Sequence, residues 1–354
     1  MELVEIIQSS LANGREASAS DIHLVYGLPP RLRRDGKLMD LPGALPLHDE
    51  DCVKYARELA GVDAWEKLGG SGELDLARTY GGVRIRANVF WQQGHVSSSI
   101  RLLRDEIPAL ETLGLPAAVS TFPELRRGVI LVTGVTGSGK STTLASILQR
   151  INETRADHIV TLEDPIEYVH HPKKCVVNQR EIGRDTESYA SGLRAVLRED
   201  PDVILIGEMR DLETIQIALT AAETGHLVFA TLHTASAPDS IDRIVEVFPT
   251  GMQKQIRMQL SQTLQAVLSQ QLLPRSGGSG RVCACEVMIV NHAIRNLIRE
   301  GKTPQIANTL ATSASEGSIT MDNALLRLIA AKLISPETAL RAARDPEQFA
   351  RGIL

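Results

Sequence analysis

A chain of 354 residues is too long for one ordinary core, so two domains are expected. The net charge of −5, with no Lys/Arg-dense run, advertises no sequence-independent grip on nucleic acid or anionic lipid, and 3% aromatics argue against base-stacking surfaces. No apolar run approaches the roughly 20 residues of a membrane-spanning helix, and the acidic, amphipathic start is no signal peptide, so a cytoplasmic protein with no direct membrane insertion is expected.

Residues 3–12 read as a short helix. Ile22, Leu24 and Tyr26 alternate on one strand face. The stretches 31–34 and 37–40 flank Asp35-Gly36, a hairpin signal. Residues 49–60 read as a helix stopped by Gly61. Val83, Ile85, Ala87 and Val89 alternate with Arg84, Arg86 and Asn88, and a second strand, 96–103, carries Arg101. Residues 1–106 therefore read as an α+β domain. Residues 107–124, with Pro108, Pro116 and Pro123, read as an interdomain linker, and 125–354 as the second domain.

From Arg126 the pattern becomes α/β. Apolar runs at 129–133, 159–162, 203–206 and 227–232 are separated by helix-compatible segments, the mark of a parallel sheet covered on both faces. The first run leads into Gly134–Thr142 (GVTGSGKST). Gly134, Gly139, Lys140 and Ser141 fit the phosphate-loop pattern in its strand–loop–helix setting. Backbone N–H groups around Thr136, Gly137, Ser138, Gly139 and Thr142 would surround a phosphate. Lys140 would reach the outer phosphates and Ser141 would ligate Mg²⁺, so ATP and Mg²⁺ are the expected ligands.

Phosphate sites in such sheets lie at the carboxyl ends of the strands, and the remaining runs deliver polar residues there: Glu163, Glu208 and His233. Glu163 reads as the water-activating base and Glu208 as the acid linked to the metal, directly or through water; the reverse assignment stays open. His233 would sense the terminal phosphate. His226 stands equally as structural or functional. Arg84, Arg86 and Arg101 are either a solvated strand face or arginine fingers.

Residues 252–273 read as a long amphipathic helix and 276–280 as a flexible loop. Residues 292–300, 321–333 and 337–350 read as helices, the last capped by Ser335. Of four cysteines, Cys52, Cys175, Cys283 and Cys285, only the last two are close. One C-x-C is a weak zinc signal, so free thiols are expected.

These motifs together resemble the secretion superfamily ATPases, motors of type II secretion, type IV pili and archaeal flagella. The phosphate loop, residues 161–167, residues 202–211 and residues 224–234 look like that superfamily's Walker A, Asp box, Walker B and His box. Residues 18–24 and Asn178-Gln-Arg-Glu181 fit it too. Ala293–Glu300 (AIRNLIRE) is similar to a signature of its pilus-retraction branch, and the absence of a tetracysteine module and of a long extra N-terminal domain fits that branch. Trp91 with residues 94–99, and residues 309–317, depart from the pattern. The resemblance implies a PAS-like N-terminal domain, a RecA-like ATPase domain and a homohexamer. It also implies ATP between domains, reached by Arg86 and Arg101 with Arg84 as a weaker third. A cleft that closes on ATP, with its hinge in 107–124, would drive pilus retraction and twitching motility. The partners would be an inner-membrane pilus platform protein and the pilus machinery, with 293–300 as an output surface and no nucleic acid. A pilus assembly or type II secretion ATPase, or a RecA-like nucleic-acid motor, are the alternatives.

Overall fold

The computed structural model describes residues 1–11, 19–34, 37–103, 106–278 and 280–353. It divides into two compact units, Met1–Glu106 with Pro165–Tyr168, and Ile107–Asp164 with Val169–Leu354. The expected Asp35-Gly36 turn and Ser18 lie outside the described residues.

The first unit is α+β. Its strands are β1 (Asp21–Leu24), β2 (Arg31–Arg34), β3 (Lys37–Asp40), β4 (Glu73–Tyr80), β5 (Val83–Gln92) and β6 (His95–Leu102), in an antiparallel sheet ordered β3-β2-β1-β6-β5-β4. The alternation of β5 does what its pattern predicts: Val83, Ile85, Ala87 and Val89 are buried. They share a core with Cys52, Tyr55, Ala56 and Leu59 of the helix Asp49–Ala60. Between β5 and β6 the two-residue turn puts Gln93 and Gly94 at φ 49° and 81°, the conformation that matches the twist of a hairpin. β6 therefore begins at His95 rather than Val96. A helix at Val62–Ser71 follows Gly61 directly and was not expected.

The second unit is α/β. Its strands are β7 (Gly128–Thr133), β8 (His158–Glu163), β9 (Val176–Glu181), β10 (Val203–Ile206), β11 (Leu227–Leu232), β12 (Leu264–Pro274) and β13 (Arg281–Ile289), ordered β13-β12-β7-β11-β10-β8-β9. Six run parallel and β13 pairs antiparallel with β12. β7, β10 and β11 are buried at every residue. Leu131, Val160, Ile204 and Val228 feed a core on one face, and Ile130, Ile159, Leu205 and Phe229 a core on the other. Burial on both faces explains apolar runs without alternation.

Three expectations are corrected here. Residues 252–273 are not one helix: the helix is Thr250–Thr263, and the chain then turns into β12. Its apolar positions are compatible with either period, and pairing with β7 on one side and β13 on the other decides for strand. Residues 337–350 form two helices, Pro336–Ala342 and Pro346–Ile353. Pro346 disfavours helical backbone at Asp345, whose Oδ1 accepts from the N–H groups of Glu347 (3.1 Å) and Gln348 (3.0 Å) and starts a new helix. The Ser335 cap is present, its hydroxyl accepting from Thr338 N–H at 3.1 Å.

The third concerns residues 107–124. They form the 3₁₀ turns Leu110–Leu113 and Ala117–Glu124 within the second unit. Leu110, Val119 and Phe122 sit in the core that holds the phosphate-loop helix. The prolines stop α-helix but leave these apolar side chains free to pack, so this stretch belongs to the second unit.

Candidate nucleotide site at the carboxyl edge of the parallel sheet

The loop after β7 leads into the helix Lys140–Thr154. Gly134 has φ 137°, and a Cβ there would lie 2.4 Å from Gln270 O and 2.6 Å from Ser138 Oγ. Gly139, at the helix N-cap, has φ 97°. No other residue fits either position without strain. The loop is thus a backbone cradle at a helix N-terminus, where N–H groups and the helix dipole favour an anion. Ser138 Oγ is buried with no hydrogen-bond partner among the described residues. Lys140 Nζ donates to the carbonyls of Gly134 (2.7 Å) and Val135 (3.2 Å), folding the ammonium over the loop. Ser141 is exposed and Thr142 half-buried beside it.

Because β8, β10 and β11 run parallel to β7, their tips reach the same edge. Glu163 ends β8. Its Oε1 accepts from Thr161 Oγ1 (2.6 Å) and from Gln179 Nε2 on neighbouring β9 (3.1 Å). Glu208 follows β10 and is 18% exposed. Its carboxylate meets Arg210 Nη2 at 2.7 Å and His233 Nε2, at the tip of β11, at 3.2 Å. Burial pushes the Glu208 carboxyl up, but the Arg210 hydrogen bond and the His233 and Arg210 charges outweigh it and hold it below its ordinary value. Tyr189 packs under this edge. Burial first, then the charges of Asp164, Glu208 and Glu163, push its hydroxyl well up, so it stays a neutral hydrogen-bonding group.

Glu163, Glu208, His233 and the phosphate loop are therefore brought to one edge. His226 is not. It precedes β11 at the amino edge, where Nδ1 lies 2.8 Å from Ala221 O and 3.1 Å from Thr224 Oγ1, at the end of the helix Leu212–Glu223. It closes a helix terminus. The strand's length separates it from the loop.

Arg84, Arg86 and Arg101 belong to the first unit. Arg84 is buried there and donates to Ile166 O at 3.2 Å. Arg86 and Arg101 are direct cross-strand partners, and Arg101 Nε donates to Asp21 Oδ1 at 3.0 Å. Like charges placed opposite each other destabilise a strand pair unless an anion answers them, and Asp21 supplies one.

Several site residues escaped the sequence reading. Gln179 lies in a quoted motif but had no role, since only the pairing of β9 with β8 aims it at Glu163. Gln270 was hidden by the helix reading of 252–273. Buried, it donates to Thr143 Oγ1 in the first turn of the loop helix at 2.9 Å. Arg210 was within a quoted motif, but its pairing with Glu208 needed the fold.

Residues 2–333 match the family described as Type II/IV secretion system protein. The chain belongs to that family. It is 46% identical to the type IV pilus retractation ATPase PilT of Pseudomonas aeruginosa, covering 99% of this chain and all of that one. It is 51% identical to a twitching motility protein of Neisseria gonorrhoeae over 75% of this chain and 71% of that one. A crystal structure of the pilus retraction motor PilT with bound ADP superposes with a TM-score of 0.92 at 48% identity, covering 99% of both chains. The expected fold class, a RecA-like α/β domain preceded by a smaller α+β domain, holds for this family member. The type-level expectation of a retraction ATPase agrees with these relatives. No helix among the described residues is long and apolar enough to cross a membrane.

The donor set suits Mg²⁺. Among the described residues no three His, Cys, Asp or Glu side chains cluster as a metal site. A hydroxyl at the loop and a carboxylate beyond it fit a hard cation that keeps phosphate and water ligands. Arg210 and His233 already engage the Glu208 carboxylate.

Proposed function

We propose that this chain is an ATPase that powers type IV pilus retraction, and with it twitching motility. What carries the reading is the end-to-end likeness to P. aeruginosa PilT, together with a sheet edge on which the phosphate loop, Glu163 and Glu208 converge. The loop N–H groups and Lys140 bind and orient the triphosphate. Ser141, with Glu208 through water, would hold a Mg²⁺ ion, which would supply charge neutralisation at the outer phosphates. Glu163, fixed by Thr161 and Gln179, accepts the proton of the attacking water. His233, tied to Glu208, carries the loss of the terminal phosphate from the β11 tip to the β10 tip. The base is Glu163 in this reading because Glu208 is already engaged by Arg210 and His233.

The motor is a homohexamer that works in the cytoplasm against an inner-membrane pilus platform protein and the pilus machinery. Arg86 and Arg101, with Arg84 as a weaker third, would supply positive charge to the transferred phosphate in the assembled ring. The domains carry these roles as 1–106 and the ATPase portion that follows. The helix His292–Glu300 faces the machinery with Arg299 and Glu300. Ile294 and Ile298 are its buried side, and Arg295 caps the carbonyls of Ser261 (2.8 Å) and Gln262 (3.0 Å).

The test is pilus imaging in a piliated strain lacking its own retraction ATPase. The wild-type chain should restore retraction, whereas Lys140→Ala and Glu208→Ala should leave cells piliated and unable to retract. Retraction with either variant, or failure of the wild-type chain to restore it, overturns the reading.

A further inference from the structure

The thiols of Cys283 and Cys285 lie 3.3 Å apart on β13. They are two residues apart on one strand and share a face. Two strand residues span about 6.6 Å between Cα atoms, within the ~4.4–6.8 Å that a disulfide bridges. Cys285 is buried and lies opposite Gln270 in the sheet, whereas Cys283 is partly exposed.

Gln270 connects this pair to the phosphate loop. Its Nε2 donates to Cys283 Sγ at 3.2 Å and to Thr143 Oγ1 at 2.9 Å, while its Oε1 is buried without a partner among the described residues. Thr143 stands in the first turn of the loop helix, and the backbone oxygen of Gln270 is also what a Cβ on Gly134 would strike. One residue thus touches the dithiol, the helix and the start of the loop.

We propose that Cys283 and Cys285 form a peroxide-oxidisable dithiol whose redox state is transmitted to the phosphate loop through Gln270. The two thiols differ in a way that orders the chemistry. Hydrogen bonds from Cys285 and Gln270 hold the Cys283 thiol below its ordinary value against the effect of burial, and the hydrogen bond to Cys283, with burial, pushes Cys285 up. The Cys283 thiolate attacks one peroxide oxygen, breaking the O–O bond and releasing hydroxide, which takes up the thiol proton as water. Cys285 sulfur then attacks the sulfenic sulfur, forming the S–S bond; its proton leaves with the sulfenic oxygen as a second water. Two thiols and one peroxide become one disulfide and two waters. Closing the bond draws the sulfurs from 3.3 Å to about 2.05 Å. Cys283 Sγ is thereby displaced from Gln270, which is placed to shift its hold on Thr143.

The test uses the full chain, hydrogen peroxide, alkylation and peptide mass. The peptide holding both residues should lose two hydrogens, resist alkylation and recover with dithiothreitol, while Cys283→Ser should not close the bond. A fluorescent ATP analogue should bind the oxidised wild type several-fold more weakly and Cys283→Ser unchanged by peroxide. Two alkylatable thiols after peroxide, or oxidation of Cys283 alone with Cys285 free, overturns the dithiol. A closed disulfide with unchanged nucleotide affinity overturns the link through Gln270. That link rests on the proposed nucleotide site, which binding by the reduced protein tests separately.

Discussion

His233 Nε2 sits 3.2 Å from Glu208 Oε1, joining the tips of β11 and β10, two neighbouring parallel strands. A change felt by His233 therefore reaches a carboxylate that Arg210 also holds. Glu208→Gln should lower steady-state phosphate release by about 10²-fold or more while nucleotide affinity stays within about threefold. Phosphate-release kinetics and analogue titration check it; near-normal turnover would remove Glu208 from the machinery.

Arg210→Ala should move the acid limb of the turnover profile to higher pH. In the native protein Glu208 remains charged below its ordinary carboxylate range, because Arg210 and His233 outweigh burial. Without Arg210, burial acts with less opposition and protonation occurs at higher pH. A pH–rate comparison of the two proteins decides, and coincident acid limbs would contradict the assignment.

Gln179→Ala should lower kcat by about tenfold with little change in KM, since Gln179 positions Glu163 and is not placed to hold nucleotide. Its Oε1 also accepts His170 N–H at 2.7 Å, so thermal melting belongs beside the kinetics. A loss confined to KM would place Gln179 elsewhere.

His170 is buried and its pKa is pushed down to about 4, chiefly by burial and then by the charge of His171. The unfolded chain binds this proton near its ordinary value of about 6.5. The native state therefore has its full stability above that pH and loses it as pH falls from about 6.5 towards 4. The loss is about 3 kcal/mol at most. Urea unfolding of wild type and His170→Asn across that window should show a shallower acid decline in the variant.

Glu286 is buried on β13, and its Oε1 accepts Ala237 N–H at 2.8 Å at the start of the helix that follows His233. Burial raises its carboxyl against the backbone donors of Ala237 and Met321. A raised carboxyl costs stability once pH exceeds the unfolded value, so Glu286→Gln, which keeps an acceptor, should melt no lower than wild type at pH 8. Glu286→Ala leaves buried N–H groups unsatisfied and should lose about 1–3 kcal/mol. Calorimetry that ranked the two alike would refute the distinction.

Much was determined by the sequence alone, wherever the signal is local. The cradle needs glycine at Gly134 and Gly139 with Lys140 and Ser141 beside them. Strands buried on both faces read as continuous apolar runs. A strand end followed by an acid or histidine marks the edge where phosphate chemistry sits. Glu163, Glu208 and His233 were legible for that reason. Residues 264–274 were not, because the same apolar spacing suits a helix or a strand and only pairing with β7 and β13 chooses between them. Pairing likewise decided that Gln179 reaches Glu163 and that Gln270 reaches Thr143, while the direction of β11 put His226 at the opposite edge from the loop. Sequence specifies what each backbone segment and side chain can do. Which distant groups meet depends on strand order and register, set by burial summed over the whole sheet.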